Sequence, residues 1–119
     1  MLKLPEDTQV YVCLEPTDMR KAMNGLSVMV AEQLSANPLS GDLFLFFNRR
    51  KDIVKILYWH QNGYVLHHKR LEKLRFILPL NEKSPSSLEI SEVQLHGLLA
   101  GLDFTLMKKF PDIDYTQVF

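Results

Sequence analysis

With a single cysteine, Cys13, the 119-residue chain has no internal disulfide to form, which suits a reducing compartment. Long apolar runs are also missing. Stretches such as Leu43 to Phe47 fall far short of the roughly 18 apolar residues needed to span a bilayer. The N-terminus carries Lys3, Pro5, Glu6 and Asp7 and has no apolar segment followed by a small-residue cleavage site. No secretory signal is therefore expected, and a cytoplasmic location follows by elimination. Net charge is absent as well, 14 Lys and Arg balancing 14 Asp and Glu.

Catalytic signatures are equally scarce. No Gly-rich phosphate loop, nucleophile elbow or HExxH motif occurs. The histidines are His60, His67, His68 and His96. Adjacent His67 and His68 point to opposite faces of a strand and cannot grip one metal together. Asp18, Asp42 and Asp52 could hold a divalent cation only by converging in space, which the sequence does not decide. The chain reads as a non-enzyme with no cofactor and no metal site.

What is present is a soluble domain's composition, 46% apolar, in a chain long enough to bury a core unaided. One domain over residues 1–119 is expected. The zero net charge hides a sorting of charges along the chain. Residues 49–75 carry Arg49, Arg50, Lys51, Lys55, Lys69, Arg70, Lys73 and Arg75 against Asp52 and Glu72 alone. That segment is strongly cationic and the remainder equally anionic, an argument about polyanionic partners rather than fold.

Residues 10–14 form a β-branched and apolar run closed by Pro16 and read as a strand. Thr17 or Asp18 offers an N-cap, and apolar residues then recur at helical spacing from Met19 to Leu34, predicting a helix over 18–35. Residues 42–48 and 53–59 read as strands joined by the loop 49–52. Asn62-Gly63 suits a turn needing positive φ before a strand over 64–70, and another strand is plausible over 75–78. Residues 81–87 read as a loop. Ser91 to Gln94 fits a capping box, and Gly101 a helix stop. Residues 104–119 read as a C-terminal extension ending in a tail. The expected fold is α+β, a small antiparallel sheet of four to five strands on a long N-terminal helix, with a short C-terminal helix.

Pairing Asn48 with Ile53 places Leu43, Leu45, Phe47, Val54, Ile56 and Tyr58 on one face, dry enough to lie under the helix. Phe44, Phe46, Lys55, Leu57 and Trp59 fall on the other, joined by Tyr64, Leu66, His68 and Arg70. Register is the sensitive point, because a one-residue slip exchanges the faces. A basic loop beside aromatic strands suits phosphate contacts with base stacking. Arg49, Arg50, Lys51, Lys55, Lys69, Arg70 and Arg75 are the candidate nucleic-acid contacts, with Trp59 and Tyr64 as stacking candidates or plain packing. At Thr17-Asp18-Met19-Arg20-Lys21 two cations enter the first turn of the expected helix, against its dipole. This is either an anion site or a corner fixed by an acid, such as Asp18 or Glu15, pairing with Arg20.

The ordered set Pro16-Thr-Asp-Met-Arg-Lys21 with Gly25-Leu26, Ser40-Gly41-Asp-Leu-Phe44, Phe46-Phe-Asn48-Arg49-Arg50, Lys55-Ile-Leu-Tyr-Trp59, Asn62-Gly63-Tyr64, Lys69-Arg-Leu-Glu72 with Arg75-Phe76, and Leu98-Leu-Ala-Gly101-Leu-Asp103 resembles the second-frame, TnpB-type accessory protein of the bacterial insertion-sequence-66 family. The likeness covers residues 10–103. It departs at Phe47 and Lys51, where Arg and Gly are common in the family, and at His60-Gln61 and His67-His68. The resemblance implies an accessory role in DNA transposition beside a separate, larger transposase. The matching positions are Thr17, Asp18, Arg20, Lys21, Asn48, Arg49, Arg50, Lys69, Arg70 and Arg75, and reading them as DNA contacts rests on charge. Two modes of action follow as expectations. One is direct DNA binding through the basic hairpin. The other is a protein adaptor docking on the transposase, motivated by the apolar residues on both hairpin faces.

Overall fold

The computed structural model describes residues 4–79 and 86–103. Strand β1 (Val10–Cys13) leads to helix α1 (Met23–Glu32), and β2 (Leu43–Phe47), β3 (Ile53–His60) and β4 (Gly63–Arg70) follow. β5 (Ser87–Ile90) and helix α2 (Glu92–Leu99) complete the described elements. The five strands form one sheet in the order β4-β3-β2-β1-β5. The architecture is α+β, but the sheet is mixed rather than antiparallel. β1 runs parallel to β2 and antiparallel to β5, and a parallel pair needs a crossover, here supplied by α1.

Leu-Phe-Leu-Phe-Phe of β2 is buried at every position. A continuous apolar run, rather than an alternating one, belongs to a strand covered on both sides. One side packs Leu43, Leu45, Phe47, Val54 and Ile56 against Leu95, Leu98 and Leu99 of α2 and against Phe76 and Leu78. The other packs Phe44, Phe46 and Leu57 with Cys13 against Leu26, Met29 and Val30 of α1. The expected register holds, Phe47 pairing with Val54. The helix, however, lies on the opposite face from the one expected. It covers the aromatic face, and α2 with residues 71–78 covers the other.

The first helix is also shorter than expected, 10 residues with Ala22 as an N-cap that offers no side-chain bond. Asp18 does not cap it, because its carboxylate is taken by the backbone and guanidinium of Arg20. At the far end Ser35 turns to φ 50, so Leu34 packs from beyond the helix. In the β3–β4 turn the positive φ falls at Gln61, 55°, and not at Asn62 or Gly63. Residues 75–78 join no strand, yet Phe76 is 1% exposed and meets Phe47 edge-on with ring centroids 5.2 Å apart. β5 takes Ser87 out of the expected loop, whose residues 81–85 lie outside those described. The capping box is as read, Ser91 and Gln94 exchanging side-chain to backbone bonds. Gly101, φ 83, stops the helix, and the Leu102 N–H donates to the Gly97 carbonyl. The reading of 104–119 as a tail concerns residues outside those described.

Truncating Phe76 removes a ring from the packed face under residues 71–78. Phe76→Ala is expected to lower stability by about 3–5 kcal/mol, read as a reduced midpoint in urea unfolding with the slope unchanged.

Candidate nucleic-acid interface

The four-residue connection between β2 and β3 is held by one side chain. The Asn48 amide oxygen accepts from the backbone N–H groups of Asp52 and Ile53, both at 3.0 Å, and its nitrogen donates to the Asp52 carboxylate at 2.6 Å. An Asx residue at the head of a tight loop commonly bonds its own backbone in this way. The loop is further clamped from the segment after β4. The Leu71 N–H donates to the Asp52 carbonyl and the Phe76 N–H to the Lys51 carbonyl, at 2.8 and 2.7 Å. Arg49 and Arg50 are thereby presented, exposed, on a closed tip. Asn48 organises the loop.

Lys51 sits at φ 60, the left-handed region where a side chain is strained and glycine is at ease. This accounts physically for the common Gly noted above at this position.

The neighbouring corner is tied to the same end of the sheet. Thr17, 6% exposed, donates its N–H to the Phe47 carbonyl at 2.8 Å. Arg20 forks onto Asp18, its Nη2 lying 2.7 Å from Oδ2. Those side-chain hydrogen bonds, then the backbone bond and the cation's charge, hold the Asp18 carboxyl down to about 2. Of the two readings offered for this corner, the ion-paired one describes the geometry. Asp52 is also lowered, first by the Asn48 hydrogen bond and further by the charges of Arg50 and Arg70.

Not every candidate cation is free. Lys55 lies on the α1 face, and its ammonium donates to the carbonyls of Met19 and Lys21 at 2.7 and 2.9 Å. It fastens the corner to the sheet. Lys69 donates to the Leu99 carbonyl at the end of α2, 2.8 Å away, where a cation also meets the helix dipole favourably. Arg70 leans on exposed Glu72 at 3.2 Å. Arg49, Arg50, Lys51, Lys73 and Arg75 make no ion pair among the described residues. Lys73 belongs to the cationic run of the sequence but is not among its candidate contacts. The segment 71–78 that crosses the tip brings it there, and its position in the run of cations was the available signal.

Topology gathers these groups. β2 ends, β3 begins and β4 ends on one side of the sheet. β1 ends there too, being parallel to β2, and α1 starts there. All ten Lys and Arg of the described residues therefore lie in this half: Arg20, Lys21, Arg49, Arg50, Lys51, Lys55, Lys69, Arg70, Lys73 and Arg75. Trp59 and Tyr64 do not join them. They touch edge-on at 5.1 Å beside the opposite turn, six residues along β3 from Ile53 and roughly 20 Å away at about 3.3 Å per residue. Asp42 likewise precedes β2 at the far end, so Asp18, Asp42 and Asp52 do not converge. Among the described residues no group of three or more His, Cys, Asp or Glu could hold a metal ion, and no helix is long and apolar enough to cross a membrane.

Residues 8–109 match the family described as IS66 Orf2-like protein, a span that includes the hairpin tip, the corner and the segment that clamps them. The chain belongs to this family. Membership ties it to the IS66 insertion sequence and to a transposition-associated accessory role. Similar proteins are the uncharacterized y4jC of Sinorhizobium fredii strain NGR234, 37% identical over 87% of this chain and 86% of that one, and y4hO of the same strain, 36% identical over 87% of this chain and 89% of that one. No solved structure matches the chain significantly.

Two measurements check the local geometry. Lys51→Gly is expected to stabilise the protein by roughly 0.5–1 kcal/mol, seen as a higher unfolding midpoint. An NMR titration of the carboxyl carbons should place Asp18 near pH 2 in the parent and shifted upward, toward its ordinary 3.8, in Arg20→Ala, which keeps the backbone bond. The sign follows from a depressed carboxylate: its stabilising effect is present above the unfolded value and is lost as pH falls through the folded one.

Proposed function

We propose that the chain serves transposition of a bacterial insertion sequence as a non-catalytic accessory factor that holds DNA by the basic end of its sheet. One observation carries the reading. Ten cations of the described residues gather at one end, eight of them without an ion pair among those residues, and the two arginines at the tip are exposed. A ridge of fixed cations is the complement of a phosphate backbone and attracts it without regard to sequence.

The amended geometry alters how DNA is held. Phe44, Phe46 and Leu57 are buried under α1, and Trp59 with Tyr64 stands far from the tip, so phosphate contact dominates and base stacking is not part of the proposal. The contacts are Arg49, Arg50 and Lys51, with Lys73, Arg75 and Arg70 beside them. Lys55 and Lys69 support the fold and act on DNA only through their charge. The covered faces also supply an internal partner for the apolar residues that had suggested an adaptor, which favours DNA over that second reading.

A gel-shift titration across salt is the test. Affinity should fall steeply between about 50 and 200 mM salt, and Arg49→Ala/Arg50→Ala should flatten the log–log slope by about 2 while weakening binding on every sequence. Binding absent even at low salt, or unchanged in the double variant, overturns the reading. Co-purification with the transposase that survives nuclease treatment, in a protein that ignores DNA, would support the adaptor instead.

A further inference from the structure

The end of the sheet opposite the cations is their electrostatic counterpart. Glu6 and Asp7 precede β1, Asp42 precedes β2, Glu32 ends α1 and Glu92 opens α2, and no Lys or Arg of the described residues lies there. β3 runs between the two ends, eight residues long, which separates them by roughly 25 Å at about 3.3 Å per residue. The Debye length at physiological salt is about 8 Å. The two ends therefore do not neutralise one another through solvent, and each acts as a patch of its own sign.

The acidic end is also concave. A cleft of about 530 Å³ opens there, lined by Leu4, Asp7, Asp42, Tyr58, His60 and His67 among others, a size within the range of about 300–1,000 Å³ that clefts use to bury a ligand. Its wall includes Tyr58 and His67, stacked with ring centroids 5.6 Å apart, and guanidinium groups pack well on aromatic rings. Asp42 is fixed in place, accepting from the Gln9 N–H and the Ser40 hydroxyl at 3.0 Å each. Asp7 is exposed, and neither acid has a cation within ion-pair distance among the described residues.

We propose that this cleft receives the Arg49-Arg50 tip of a second copy of the chain, joining molecules head to tail. The occupant is argued from complementarity within the molecule itself. A narrow, rigid, doubly cationic hairpin stands at one end, and a carboxylate-rimmed aromatic cleft at the other. Because the two surfaces differ, the contact is heterologous, and repeated addition yields open chains of copies rather than a closed dimer. A tip seated in a neighbour's cleft is withdrawn from any other anion.

Sedimentation velocity without nucleic acid tests this independently of the DNA reading. At about 50 mM salt the mass should rise with concentration above the 13.8 kDa monomer without a plateau at two copies. It should return to the monomer near 1 M salt, where screening acts within about 3 Å. Glu6→Lys/Asp7→Lys and Arg49→Ala/Arg50→Ala should each be monomeric alone, their folds checked by circular dichroism. Mixed, they should form a 1:1 pair that grows no further, one copy still offering its tip and the other its cleft. A monomer at every concentration in low salt, growth that survives in either variant alone, or a parent that stops at a dimer overturns the proposal.

Discussion

Two-sided burial of β2 is the constraint from which the remaining architecture follows. Five consecutive apolar residues without a solvent face require a layer above and a layer below. α1 supplies one in crossing from β1 to β2, and α2 with the segment carrying Phe76 and Leu78 supplies the other. Once both broad faces are occupied, ionic groups have only the ends and edges of the sheet left to them, since an unpaired charge in the interior is costly. The parallel pairing of β1 with β2 then decides which groups meet. It brings the start of α1, and with it Arg20 and Lys21, to the end where the β2–β3 loop protrudes.

The two lysines nearest the dry layers illustrate the same rule. Lys55 lies beside α1 and spends its donors on two carbonyls. Lys69 lies beside α2 and donates to its last turn. Cys13, 1% exposed, has its thiol pushed up first by burial, away from the thiolate form that reacts. These groups stabilise the scaffold, while among the described residues the arginines and lysines of the loop and of the segment crossing it have no such partner.

Local signals were the legible part of the sequence. The pairing of Asn48 with Ile53, the Ser91 capping box and the Gly101 stop depend on residues close together in the chain, and each stands in the structure as read. The larger misreadings were non-local, whereas the shifted helix start and the positive φ at Gln61 arose from neighbours in the chain. The side of the sheet taken by α1 depends on the parallel pairing of β1 with β2, which periodicity does not encode. The helix start moved because Arg20 captures the carboxylate that would have capped it. The cationic cluster was legible as a composition, but which of its members are free depended on distant carbonyls at positions 19, 21 and 99. The uninterrupted apolar run at 43–47 was itself the clue to a doubly covered strand, because a half-exposed strand alternates.

The closed loop around Asn48 bears on kinetics. A protrusion whose backbone is already locked by its own amide and strapped from Leu71 and Phe76 has little disorder left to surrender when it meets another surface. Only the outer arms of Arg49 and Arg50 remain to be frozen, an entropy cost of roughly 0.5–1.5 kcal/mol per long side chain. Encounter is then governed by long-range attraction and diffusion rather than by waiting for a rare shape.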